Sequence, residues 1–275
     1  MRIASLQPSI SIVLERLGCL DLLAACTRYC LDAVPALRGR GLAVVHDSWT
    51  TTAEELLAVR PDLVMASVPY RNESLAAILK AGYPVLALAP HCLADIEQDI
   101  RLIAGATARP EALDRAKLVI AEMRGAIGEV RRRCSGLGQK PLVYCEEWGK
   151  PLIASQLWVK ELVEAAGGVF LGEPGKTTTA EAVAEADPEV VLAAWCGAGD
   201  RVPLEKVAGR AGWESMRAVR EGRVYCIADE LLNTPAPTLV DGLRAMAAAL
   251  HPEVFGAAAP GLRRMALNRS ETECV

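Results

Sequence analysis

Histidine is nearly absent from this sequence, occurring only as His46, His91 and His251, and no Gly-x-Ser-x-Gly element accompanies it. A serine-type triad therefore has too few candidates, and no catalytic residue is assigned. The three histidines show no paired spacing, so no metal ligand is assigned either. The nine cysteines (Cys19, Cys26, Cys30, Cys92, Cys134, Cys145, Cys196, Cys226 and Cys274) are odd in number, scattered and free of any Cys-x-x-Cys pair. That pattern excludes a disulfide framework and points to buried thiols in a reducing compartment. No apolar run approaches the roughly 20 residues that cross a bilayer, so no membrane insertion is expected. Positive charge clusters only at Arg131, Arg132 and Arg133, and 30 basic against 34 acidic residues leave a net charge of −4. Nucleic acid has no basic surface to bind. A phosphate loop is missing too, because GEPGKTTT (Gly172 to Thr179) has Phe170 where the motif needs its first glycine.

What is present is the composition of a folded protein, 52% hydrophobic and 23% charged, in a chain long enough for two lobes. One stretch occurs twice: TTAEELLAVRPDLVMAS from Thr51 and TTAEAVAEADPEVVLAA from Thr178, aligning Glu54 with Glu181 and Pro61 with Pro188. Each copy reads as a helix feeding a buried strand. Around the first copy, strands are expected at Ile3 to Ser5, Leu22 to Cys26, Leu63 to Ser67 and Val85 to Ala89. Helices are expected at Ser9 to Leu17, after a cap at Thr51 or Thr52, and at Glu73 to Ala81. Around the second, strands are expected at Leu142 to Cys145, Val190 to Trp195 and Val224 to Ile227, with helices at Trp158 to Ala166 and Leu239 to Leu250. Strands alternating with helices make parallel sheets.

Between the halves, Leu113, Ala116, Ile120, Met123, Ile127, Val130 and Cys134 recur at alternating steps of three and four, one apolar face of a continuous helix. Acidic residues open it, three arginines close it and Ser135-Gly136-Leu137-Gly138 stops it. Its 25 residues, at about 1.5 Å each, reach roughly 37 Å, enough to join two lobes. The expected organisation is an α/β lobe at 1–109, a connecting helix at 110–134 and a second α/β lobe at 135–275.

Aromatics make up only 4% of the chain, so their positions carry information. Trp195 ends one apolar strand, Trp148 follows another, Tyr70 comes three residues after LVMAS, and Tyr29 and Trp49 fall in loops of the first lobe. Ligands of open parallel sheets lie beyond the carboxyl ends of the strands. Indole and phenol rings there suit a large, partly planar ligand, although single rings also serve to plug loops against a core.

These residues, together with RIASLQPSISIVLERLG, EEWGKPLIASQLWVKELVEAAGG, GWESMRAVREGRVYCIAD and NTPAPTLVDGLRAMAAALHPEVF, resemble the substrate-binding proteins of ABC importers for cobalamin and for ferric siderophores or haem. The stretch from Glu146 to Gly168 looks most like the cobalamin-binding branch. The resemblance implies two Rossmann-like lobes with parallel central sheets joined by one long rigid helix, the class III periplasmic-binding-protein architecture. It implies a non-enzymatic monomer that holds cobalamin or a related corrinoid between its lobes, with Tyr29, Trp49, Tyr70, Trp148 and Trp195 as lining. Cys196 or His46 are the residues that could reach a cobalt ion. It also implies that Glu54 and Glu181 dock onto an ABC permease, where composition alone reads both as first-turn acids at helix N-termini. A ferric-siderophore or haem binder, an intracellular corrinoid carrier or sensor, and more remotely an α/β enzyme are the alternatives. No secretory signal is read in MRIASLQPSISIVLERLG, and SISIVLERLG lacks the Thr-Glu frequent in this helix of the family. A cytoplasmic location is therefore expected, or a periplasmic or cell-surface one if a leader precedes the chain.

Overall fold

A computed structural model of the chain describes residues 1–266; Cys274 lies outside them. The chain groups into two compact units, Met1–Arg124 with Thr234–Pro237, and Gly125–Asn233 with the chain from Thr238 onward. In the first unit β1 (Ile3–Ser5), α1 (Pro8–Arg16), β2 (Leu23–Thr27), α2 (Arg28–Ala33), β3 (Ala43–Val45), α3 (Ala53–Val59), β4 (Leu63–Ser67), α4 (Asn72–Lys80), β5 (Val85–Leu88) and α5 (Leu93–Ala106) alternate along the chain. The sheet has the order β3-β2-β1-β4-β5, and every pairing is parallel. Its strands are apolar on both faces, as a sheet covered by helices on two sides requires: Ala4, Ala25, Val64 and Ala66 pack with Leu56, Val59, Leu75 and Ile78 of the flanking helices.

The long helix α6 runs from Pro110 to Cys134. Ala116, Ile120, Met123, Val130 and Cys134 are buried along it as the spacing requires, but Leu113 is 44% exposed and Ala112 fills the core position beside it. After α6 come β6 (Leu142–Gly149), β7 (Leu152–Ala154), α7 (Leu157–Ala165), β8 (Val169–Phe170), β9 (Thr177–Thr178), α8 (Ala180–Ala186), β10 (Val190–Ala193), α9 (Leu204–Ala208), α10 (Arg217–Arg220), β11 (Val224–Ile227), α11 (Leu239–Leu250), α12 (Pro252–Phe255) and β12 (Leu262–Arg264). The second sheet departs from an all-parallel design. Its centre, β6, β10 and β11, is parallel, but β12 adds antiparallel to β11, and β7 folds back on β6 with β9 beyond it.

The repeated stretch is repeated structure. Helices α3 and α8 have seven residues each, start after Thr52 and Thr179, and end on a left-handed residue before proline: Arg60 at φ 50° and Asp187 at φ 46°. Thr179 caps its helix by accepting from the Ala182 amide at 3.2 Å, whereas the Thr52 side chain makes no cap bond. Thr51 points elsewhere, donating to the carbonyls of His46 and Asp47.

Helix α5 was not expected from the sequence. Its start carries a capping box in which the Asp95 carboxylate accepts the Cys92 amide at 3.2 Å, and Ile96, Ile100 and Ile103 form its buried stripe. On this helix burial, and secondarily the Asp95 charge, raise the Asp99 carboxyl to about 7. The unfolded chain releases that proton near 3.9. The contribution of Asp99 to stability is thus fully present below about pH 4 and is lost as pH rises to about 7, since the native state holds that proton longer. Asp99→Asn is expected to stabilise the protein by about 1–2 kcal/mol at pH 8, once solvent screening is allowed for, and by nothing at pH 4. Urea unfolding at the two pH values measures the difference.

Among the described cysteines, Cys19, Cys26, Cys30, Cys134, Cys145 and Cys226 are buried free thiols, in keeping with the composition; Cys92 is half-buried and Cys196 exposed.

Candidate ligand site

Open α/β sheets bind ligands where the strand order reverses, because the flanking loops there diverge and leave a crevice. In the first unit that point lies between β1 and β4, and the Gln7 side chain bridges the two strand ends by donating to the Pro69 carbonyl at 3.0 Å. Tyr70 follows β4, Trp49 follows β3 and Tyr29 follows β2, so all three expected aromatics stand at the carboxyl edge of one sheet. The loops of Trp49 and Tyr70 adjoin: Arg71 donates its amide to the Ser48 carbonyl, and Ser74 its hydroxyl to the Trp49 carbonyl. Trp49 is 50% exposed, while Tyr70 is partly buried against the unit's core. Tyr29 belongs to α2 rather than to a loop, with the Arg28 guanidinium 4.7 Å over its ring and donating to its hydroxyl.

In the second unit the order reverses between β6 and β10. Here Trp148 and Trp195 come together, lining a cavity of about 500 Å³ with Gly149, Lys150, Cys196, Lys206 and Arg210. Trp148 lies within β6 and not after it, because the strand continues through its two glutamates to Gly149 and pairs with β7. Its indole is 43% exposed and donates to the Lys150 carbonyl at 3.0 Å. Trp195 lies two residues past β10, and its ring occupies the space where a Cβ on Gly149 would stand. Only glycine leaves room for the indole at that position.

The residue that holds Trp195 is Glu146. It is fully buried, which for a carboxylate is tolerable only with charge-assisted partners. Arg210 supplies them bidentately, at 2.7 and 2.8 Å, and the Trp195 Nε1–H adds a third bond at 2.7 Å. Glu147, next along β6, has its carboxyl raised by burial and accepts from Gln156 at 2.8 Å. The loop after Trp195 is fixed from below, since Asp229 accepts the amides of Gly197 and Gly199 at 2.7 and 2.8 Å. The sequence assigned no site role to Glu146, Arg210, Lys150 or Lys206, although Glu146 opens the stretch most like the cobalamin-binding branch. A carboxylate inside the apolar run LVYCEEW was the one clue available, since a charge there demands a partner.

Two residues considered for a cobalt ion are differently placed. The thiol of Cys196, although the residue is exposed, is pushed up to about 12, first by desolvation and then by the Glu147 and Asp229 charges, so it stays protonated at neutral pH. His46 has its Nδ1 2.6 Å from Glu55 Oε1 and lies in the first unit. Among the described residues no group of three or more histidine, cysteine and acidic side chains could hold a metal ion.

Glu54 and Glu181 are the second residues of α3 and α8, both exposed. The two first-turn acids of α3 divide their roles: Glu55 accepts the His46 amide at 2.9 Å, and Glu54 has no partner among the described residues. Glu181 is held below the usual carboxylate range by its own amide and by Thr179, contacts local to the helix start.

Comparison with known proteins agrees with this architecture. The chain is 23% identical over 266 residues to an uncharacterized ABC transporter substrate-binding lipoprotein of Bacillus subtilis, covering 92% of this chain and 81% of the relative. It is 23% identical over 261 residues to a cobalamin-binding protein of Halobacterium salinarum, covering 91% and 69%. A periplasmic heme-binding protein from Pseudomonas aeruginosa superposes with a TM-score of 0.83 at 23% identity, over 97% of this chain and 98% of that one. A family model described as periplasmic binding protein matches residues 3–231, and the chain belongs to that family.

Proposed function

We propose that this protein is the substrate-binding component of an ABC importer and that its ligand is cobalamin or a related corrinoid. One observation supports a large, partly planar ligand: two indoles at the carboxyl ends of β6 and β10 line a single cavity of about 500 Å³. Aromatic faces bury a flat macrocycle at little conformational cost. The Halobacterium relative, a cobalamin-binding protein, supports the same class. The test is a calorimetric titration with cyanocobalamin, repeated with haemin as competitor. Micromolar or tighter corrinoid binding that haemin does not displace supports the reading, and its absence sinks it.

A haem ligand is the second reading, and one observation favours it. Lys150 and Lys206 are exposed at the cavity and have no acidic partner among the described residues, so they suit carboxylate arms. The same titration decides between the two.

The repeated helix start is the proposed importer contact. Two exposed carboxylates, Glu54 and Glu181, occupy equivalent positions on equivalent helices, and neither is used in a salt bridge among the described residues. Charge reversal of both, Glu54→Lys with Glu181→Lys, is expected to abolish binding to a reconstituted importer and to leave corrinoid affinity within twofold. Co-purification with the importer measures the first and calorimetry the second. An unaffected complex would contradict the assignment.

A further inference from the structure

The hydrogen bonds around Glu146 extend beyond the cavity. Arg210, which pairs with Glu146, lies with its guanidinium 4.6 Å over the ring of Trp213. Trp213 is fully buried, meets Tyr144 edge-on at 6.1 Å, and donates its Nε1–H to the carbonyl of Ala180 at 2.9 Å. Ala180 is the first residue of α8, and Glu181 is the second. One connected set of contacts thus runs from Trp195 in the cavity, through Glu146, Arg210 and Trp213, to the first turn of α8. Every link has directional geometry: a bidentate ion pair, a cation over an aromatic face and two indole N–H bonds.

We propose that Glu146, Arg210 and Trp213 are positioning residues that set the plane of the Trp195 indole and fasten it to the start of α8. Displacement of Trp195 is then felt at Glu181. The ligand side of this inference rests on the corrinoid reading; the mechanical side does not. Coupling needs more than spatial intermediacy, and here the physical basis is that Glu146 is fully buried and bonds both Trp195 and Arg210. When Trp195 moves, the carboxylate has no solvent to turn to, and Arg210 must follow it. Arg210 is held bidentately and stacked, so its shift reaches Trp213. Gly149 contributes by leaving the space that the Trp195 ring occupies, which a Cβ there would fill.

The experiment is amide hydrogen exchange over residues 180–186 in the ligand-free protein, with residues 239–250 of α11 as internal control. Trp195→Phe keeps the ring and deletes the bond to Glu146, and Arg210→Lys keeps the charge and deletes the fork and the stacking. Both are expected to speed exchange over 180–186 at least threefold and to leave 239–250 within the wild-type range. Wild-type rates over 180–186 in both folded variants would overturn the proposal, and so would equal acceleration of the two helices, which reports only general loosening. In a second arm cyanocobalamin is added, retention being read by absorbance. Corrinoid that binds the wild type is expected to slow exchange over 180–186, and Trp213→Phe to remove that slowing when both proteins are saturated with corrinoid. Slowing that survives Trp213→Phe would contradict the route. A wild type that retains no corrinoid fails the ligand reading alone, since the ligand-free arm decides the positioning proposal by itself.

Discussion

Arg210→Met is expected to lower the stability of the protein by about 3–5 kcal/mol at pH 7, the largest effect of any single substitution in the site. The methionine fills much of the same volume but leaves Glu146, fully buried, without its arginine partner and still bonded to the Trp195 indole. An ionised carboxylate in that position has lost both the charge that offset its desolvation and two of its three side-chain hydrogen bonds. Replacing both members, Glu146→Leu with Arg210→Met, is expected to cost markedly less than Arg210→Met alone, as buried pairs often do when removed together. Urea denaturation of the two variants at pH 7 measures both quantities. A loss below about 1 kcal/mol for Arg210→Met would mean that water reaches Glu146.

Trp148→Ala and Trp195→Ala are each expected to weaken ligand binding by about 2 kcal/mol, roughly thirtyfold, and the double variant by several hundredfold. The two rings line one cavity, where they would remove apolar ligand surface from water. The stability consequences differ. Trp148 is 43% exposed and its removal is expected to leave thermal stability nearly unchanged, whereas Trp195→Ala also withdraws a donor from Glu146. Calorimetry for affinity and thermal denaturation for stability separate the effects. Ligand binding unaffected by both substitutions would place the ligand elsewhere.

The repeat was legible in sequence because it is written in residue types with strong local meaning: threonine before the helix, acids in its first turn, proline after a left-handed end. Helix α6 was legible for the same reason, its apolar period being sustained over 25 residues. Some short elements were not, although β1 was. Strand β3 has three residues and α2 has six, below the length at which a period can be counted. Helix α5 did carry its signal, a capping box at Cys92 and Asp95 with isoleucines at helical spacing, but its cap is a cysteine, which is not among the usual capping residues. The end of β6 was misplaced because two adjacent glutamates resemble the end of a buried strand. What makes them tolerable is Arg210 and Gln156, and the first of these is 64 residues away in the chain. A buried charge announces that a partner exists but not which residue it is. The aromatic residues were legible as candidates; that Trp148 and Trp195 share a cavity depended on the adjacency of β6 and β10, which sequence order does not state.

The most direct test of the account is an absorbance spectrum of the purified protein after incubation with cyanocobalamin and desalting. Corrinoid bands retained at close to one equivalent, and lost in the Trp148→Ala, Trp195→Ala double variant, are the expected result. A colourless protein, or one that retains haemin in place of the corrinoid, would contradict it.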